Sequence, residues 1–405
     1  MPITCSFNRN SCENTMRPVL ALLTASILFG ETALAQYTGT GSVTQGVGTV
    51  TTKDLYVCPK GRPTNLGTIA STDGRSWTLP AAVSYANGDY PQTHDLHNAC
   101  TGVTHASTAA ARTALANSSI VTVDADGEVI TGYVFADNYF EMYVNGKPVG
   151  KDNVPYTQFN SSVVKFRAKR PCTIAILAVD WEENLGLGTE VQGTATYHAG
   201  DAGIVIAFTD QANNIIATTS SEWKAQTFYI SPVQDLSCLD EVGSTRSSNQ
   251  CSTADAVDGS KHYGVHWVRP ANWMLPDYDD SSWPVALEFS NQEVGVDNKP
   301  AYTNFTDVFD APSDDATFIW TSNLVLDNEV LLRYRIPGTT SVPAPGTEEN
   351  TESRRYELYT LNGVLVASSE TLEALKVIQS SVPVGPYIRI EWSSHSIHSS
   401  IVLVY

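Results

Sequence analysis

Residues 130–152, ITGYVFADNYFEMYVNGKPVGKD, constrain this chain more than any other stretch. Tyr133 and Phe135 alternate with smaller residues. After the Asp137-Asn138 break come Tyr139, Met142 and Val144, with Tyr143 on the opposite face. Asn145-Gly146 is a strong hairpin signal, because a two-residue type I′ turn needs positive φ at both positions. Two strands joined in this way seed an antiparallel sheet in an all-β domain.

The surrounding sequence extends the pattern. Residues 119–123, 129–135, 139–144, 162–168, 173–180, 204–209, 215–221 and 227–230 have the β-branched and aromatic content of strands. Short strands are also expected at 54–58, 76–79, 324–326 and 330–336. Residues 108–116 (TAAARTALA) form the one plausible helix of the N-terminal third. Many short strands with almost no helix predict a jelly-roll or β-sandwich body. Residues 236–260 are polar and predict an excursion loop. An aromatic cluster follows, with His262, Tyr263, His266, Trp267, Trp273, Tyr278 and Trp283.

The expected organisation is a signal peptide at 1–35, an N-terminal β-rich region at 36–120 packing on the body, and the body itself at 121–340. A linker at 341–354 and a small C-terminal β-sandwich domain at 355–405 complete it. The signal rests on Met16-Arg17-Pro18, an apolar run at 19–29 and Ala33-Leu34-Ala35 before Gln36. The 15 residues ahead of Met16 point to Met16 as the true start. No other stretch is long and apolar enough for a transmembrane helix. Export permits disulfides, and Cys238 with Cys251, then Cys58 with Cys100, are the expected pairs. Cys172 opens an apolar run and is expected buried and unpaired. A net charge of -19 argues against nucleic acid, whose phosphates it would repel.

Two parts of the chain resemble known families. PDYDDSSWPVA (276–286) with FIWTSNLVLDNEVLLRYRI (318–336), and ADNYFEMYVNGKPVG (136–150), resemble galactose-binding-like jelly-roll domains. The hairpin here precedes the DDSSW element, the reverse of the usual order, so a rearranged jelly roll or two related sandwiches both fit. YELYTLNGVLVASS (356–369), VPVGPYIRIEW (382–392) and SIVLVY (400–405) resemble the C-terminal sorting domain of type IX secretion. The usual Pro-Asn-Pro element and the common Lys of the last strand are missing. The resemblance implies partnership with that secretion machinery and delivery outside the cell, either secreted or held at the cell surface.

No catalytic constellation stands out in the sequence. Trp181 with Glu182, on a loop beyond a strong strand, is a ligand-contact candidate with an exposed indole. Trp273, Asp277, Asp279 and Asp280 offer the aromatic face and hydroxyl acceptors that a sugar cleft needs. The same acids suit Ca²⁺ as an alternative; a capped turn is the structural alternative. His262 and His266 are a metal candidate against the plainer reading of ordinary polar histidines. The expected function is a non-catalytic, exported β-sandwich that binds glycan or polysaccharide. The alternatives are an extracellular hydrolase or metal-dependent enzyme, and an adhesin or matrix protein. Carboxylates meeting in one pocket would favour the enzyme, and an exposed Trp platform the glycan binder.

Overall fold

The computed structural model describes residues 37–405 except 60, 157–158, 313, 339–354, 363, 370–374, 376–381, 384, 393–396 and 405. The expected signal segment and linker lie outside the described residues. The chain divides into two compact units, Met1–Thr339 and Thr340–Tyr405.

The larger unit is an all-β sandwich. One sheet has seven strands, in spatial order Ser42–Gln45, Tyr263–His266, Lys224–Val233, Asp327–Ile336, Cys172–Val179, Tyr139–Val144 and Lys147–Lys151. The other has nine, and its inner members are Phe318–Trp320, Gly203–Thr209, Glu128–Asp137, Ser161–Ala168 and His94–Asn98. The Asn145-Gly146 turn forms as the sequence predicts, with φ of 49° and 81°. It joins Tyr139–Val144 to Lys147–Lys151.

Two cores sit on the two faces of the seven-stranded sheet. All eight residues of Cys172–Val179 are buried. Ile174, Ile176 and Ala178 face the core between the sheets, with Phe135, Val164 and Leu332. Ala175, Leu177 and Val179 face a second core with Tyr139, Trp181, Phe228, Trp267, Trp273 and Trp283. A strand covered on both faces needs apolar side chains at every position. This explains the continuous TIAILAV run. Each Leu or Ile so buried contributes about 1.5–3 kcal/mol. The aromatic cluster after residue 260 therefore roofs the outer face of this sheet. The 236–260 excursion joins it through Leu236, Leu239 and the Cys238–Cys251 disulfide. Cys58–Cys100 also forms, and Cys172 is free and buried.

Three local expectations are corrected. Residues 54–58 are not a strand: Pro59, Gly61 and Pro63 break the pattern, and the three-stranded sheet here uses Thr49–Thr52, Leu66–Ala70 and Ser76–Leu79 instead. Residues 324–326 form a turn, because the Asp327 carboxylate accepts from Thr321, Ser322 and the Asn323 N–H and curls the chain back. The region 36–120 does not merely pack on the body. Ser42–Gln45 pairs with Tyr263–His266, and His94–Asn98 pairs with Ser161–Ala168, so its strands belong to the two main sheets. The predicted helix forms at Thr108–Ala114, capped by the Ser107 hydroxyl on the Ala110 N–H.

The smaller unit holds a four-stranded antiparallel sheet, in order Leu365–Ser369, Arg355–Thr360, Gly385–Trp392 and Ile397–Val404. Tyr356, Leu358, Leu375 and Tyr387 form its core among the described residues. No helix among the described residues is long and apolar enough to cross a membrane.

Candidate functional site: an acidic cleft where the chain changes sheets

Glu128–Asp137 belongs to the nine-stranded sheet and Tyr139–Val144 to the seven-stranded one. Asn138 alone makes the crossing. Its side chain ties the crossing to the segment that leaves Cys172–Val179: Nδ2 donates to Asp137 Oδ1 at 2.8 Å, and Oδ1 accepts the Trp181 N–H. The Asp180 N–H donates to the Asn328 carbonyl at 2.9 Å. These bonds fix Asp137, Asp180 and Glu182 at one end of the sandwich.

A cleft of about 480 Å³ opens there. Asp137, Asp180, Glu182, Glu190 and Asp201 supply its carboxyl groups, and Arg62 and Lys299 its cations. His97, Asn138, Tyr156, Phe159, Asn160 and Gln192 complete the polar and aromatic lining. Arg62 is paired with Glu190, and both meet the Tyr156 hydroxyl, at 2.7 and 2.9 Å. Lys299 lies 4.4 Å from the Phe159 ring centre, in cation–π range, and Phe159 stacks on Phe135. Gly200 donates its N–H to Glu182 Oε1 at 2.8 Å, and a Cβ there would stand 2.8 Å from that same oxygen. A side chain there would crowd the carboxyl out of this position.

The electrostatics follow from burial among like charges. Burial, reinforced by Asp201 and Glu182, holds Asp137 well above the usual carboxylate range, and Lys299 opposes the shift. Burial and then Glu182 and Asp137 do the same to Asp180. Glu182 is pushed up to about 8 by burial, against the Gly200 N–H and Arg62. Asp201 is raised by burial. The wall of the cleft thus carries several carboxyl groups held above their usual range by burial and by one another.

The expected site residues are scattered. Glu182 lines the cleft. Trp181 does not: it is fully buried, edge-on to Tyr139 at 5.7 Å, because neighbouring side chains on an extended segment point to opposite sides. The exposed indole expected at this position is therefore corrected. Trp273 is buried edge-on to Tyr143 at 5.5 Å. Asp280 accepts from buried Arg333 at 2.6 Å, while the same guanidinium donates to the Trp273 and Tyr278 carbonyls. Asp279 caps a turn through the Ser281 N–H at 3.0 Å, and Asp277 is exposed. His266 is stacked between Trp77 and Tyr229 and bonded to Thr44 at 3.0 Å; burial lowers it to about 3, so it stays neutral. His262 is buried one residue before that strand. Among the described residues no group of three or more His, Cys, Asp or Glu is placed to hold a metal.

Sequence reasoning missed Arg62, Asp137, Asp201 and Lys299. The Asp137-Asn138 break was the one visible signal, since acid and amide interrupt an otherwise apolar run.

Fold and cleft together define an all-β sandwich with a polar, predominantly acidic cleft at a sheet-crossing point. No family model, curated protein or solved structure matches the chain.

Proposed function

We propose that this chain is an exported, non-catalytic β-sandwich protein that binds carbohydrate in the acidic cleft. The observation that carries the reading is the lining: acceptors and donors together surround a space of about 480 Å³, beside a half-buried Phe159. That volume lies in the range of small-ligand sites. Sugar hydroxyls donate and accept at once, which suits carboxyl, amide, imidazole and ammonium groups set side by side. Acids outnumber cations, which disfavours anionic ligands. Export is supported by the signal-like N-terminus, the sorting-like tail and the two disulfides. Glycan arrays and calorimetry on the mature chain test the binding. Asp201→Ala and Lys299→Ala are each expected to weaken it about 10- to 100-fold, the loss of a hydrogen bond to a charged group. Absence of retention on every glycan by folded protein, or unchanged affinity in both variants, overturns the reading.

A second reading, an extracellular glycoside hydrolase, is favoured by one observation. Several carboxyl groups meet in one pocket, and the tryptophans described in the larger unit are buried or half-buried and form no exposed platform. A protonated acid near an ionised one is what glycoside cleavage uses. Release of reducing ends from the bound polysaccharide, abolished by Asp137→Asn, would establish it in place of simple binding.

A further inference from the structure

Behind the cleft wall lies a second, much smaller cavity of about 10 Å³. It is lined by Asp180, Glu182, Asn184, Leu185, Tyr229 and Asn328, with Gly186 and Gly188 closing it. Three of these side chains carry a buried oxygen that no protein group bonds: Asp180 Oδ2, Glu182 Oε2 and Asn328 Oδ1. The exposures of Asp180, Glu182 and Asn328 are 2%, 3% and 0%.

The orientation of Asn328 is forced. Its Nδ2 donates to the Ser231 carbonyl at 2.6 Å, so the amide oxygen is the atom left without a partner. The loop at residues 184–189 is shaped to cover it. Asn184 and Thr189 pair across the loop at 2.9 Å, and Gly188 has a left-handed φ of 59°. A Cβ at Gly188 would come within 2.4 Å of the Ser231 carbonyl oxygen and 2.7 Å of Asn328 Nδ2. The glycine lets the backbone close down on the amide that holds Asn328 in place.

Buried oxygens without partners are costly, and more so when they carry charge. Several around one point imply a particle between them. The space suits one water-sized particle. Two carboxylates and an amide oxygen make an all-oxygen set whose charge a divalent ion cancels. Ca²⁺ accepts carboxylate and amide oxygens in irregular geometry, whereas Mg²⁺ demands a near-ideal octahedron. We propose that Asp180, Glu182 and Asn328 bind one divalent cation of the Ca²⁺ class, locking the loop at 184–189 against the strand that carries Asn328. The same ion fixes the Asp180-Trp181-Glu182 backbone that forms one wall of the cleft.

The test uses the full mature chain after dialysis against chelator, with Ca²⁺ alone as probe. One Ca²⁺ per chain is expected by calorimetry, with a rise in Tm that Mg²⁺ does not reproduce. Asp180→Asn and Glu182→Gln should each raise the Kd at least about tenfold, since affinity follows the charge of the ligand set, while Asp279→Asn leaves it unchanged. Should either variant fail to fold, Tb³⁺ provides the second measurement on the unmodified chain. Trp181 stands between two ligands in the sequence, so its excitation should give sensitised Tb³⁺ emission that Ca²⁺ displaces. Absence of stoichiometric Ca²⁺ and of sensitised emission overturns the proposal, as does undiminished binding in both folded variants. Glycan affinity is measured separately, so either inference can fail while the other stands.

Discussion

Residues 180–183, Asp-Trp-Glu-Glu, and residues 277–283, Asp-Tyr-Asp-Asp-Ser-Ser-Trp, bring the same residue types together and use them in opposite ways. In the second segment the acids are exposed or partnered. Asp279 caps a turn, Asp280 holds Arg333, and Trp283 packs on Tyr278 and Phe228. Everything there is explained by fastening the aromatic roof to the sheet. In the first segment Trp181 performs the packing alone, while Asp180 and Glu182 are buried with oxygens that nothing in the protein bonds. A carboxyl group is costly to bury unless partnered. Where a fold keeps two such groups beside a cleft, each with an oxygen left unbonded, that oxygen is free for a particle from outside the protein.

The contrast can be broken first at Arg333. Arg333→Ala removes a buried guanidinium together with its bonds to Asp280, Trp273 and Tyr278. The expected loss of unfolding free energy in urea is about 3–5 kcal/mol, with cleft binding intact in the folded fraction. A loss below about 1 kcal/mol would mean that the DDSSW segment is not the fastening it is taken to be. Replacing Cys238 and Cys251 with serine loosens the same roof. The bond spans a sequence separation of 13, and chain entropy sets the expected loss at about 3 kcal/mol, read from denaturant midpoints.

Asp152 sharpens the comparison as a third case, buried but satisfied. It accepts from the Val154 N–H at 2.9 Å and Asn160 Nδ2 at 2.7 Å, yet burial pushes it up to about 7. Because the folded value is raised, its contribution to stability is full below about pH 4 and is lost as pH rises through about 7. Asp152→Asn should flatten the decline between those limits by up to about 1.4 kcal/mol per pH unit. Unfolding curves across that range, variant against parent, check the sign. The smallest effect is expected at Glu182. In chelator Glu182→Gln should change stability by no more than about 1 kcal/mol, in either direction, because the isosteric amide keeps an oxygen for the Gly200 N–H and replaces only the unbonded one. A loss comparable to that of Arg333→Ala would place Glu182 with the fastening residues and dissolve the distinction.

Much of the sandwich was legible locally. Alternation in residues 128–144, the Asn145-Gly146 turn, and the unbroken TIAILAV run each state a backbone conformation through their own side chains. The Cys238–Cys251 pair followed from its place on either side of a polar loop. The roof was legible as an aromatic cluster but not as a second core, because nothing in the spacing of Trp267, Trp273 and Trp283 says which sheet face they cover. The site was legible only at Glu182. Arg62, Asp201 and Lys299 are far apart in sequence, and each looks like an ordinary surface charge until the strand ends converge; Asp137 shows only as a break in an apolar run.

By itself the sequence determined the strands, their hairpin and the apolar faces, since these depend on side-chain alternation and local φ preference. The tertiary structure decided which charges lose their water and which find a partner. That choice depends on long-range pairing of strands whose register no single stretch encodes. It separates Asp280, held by Arg333, from Asp180 and Glu182, buried at the wall of a cleft.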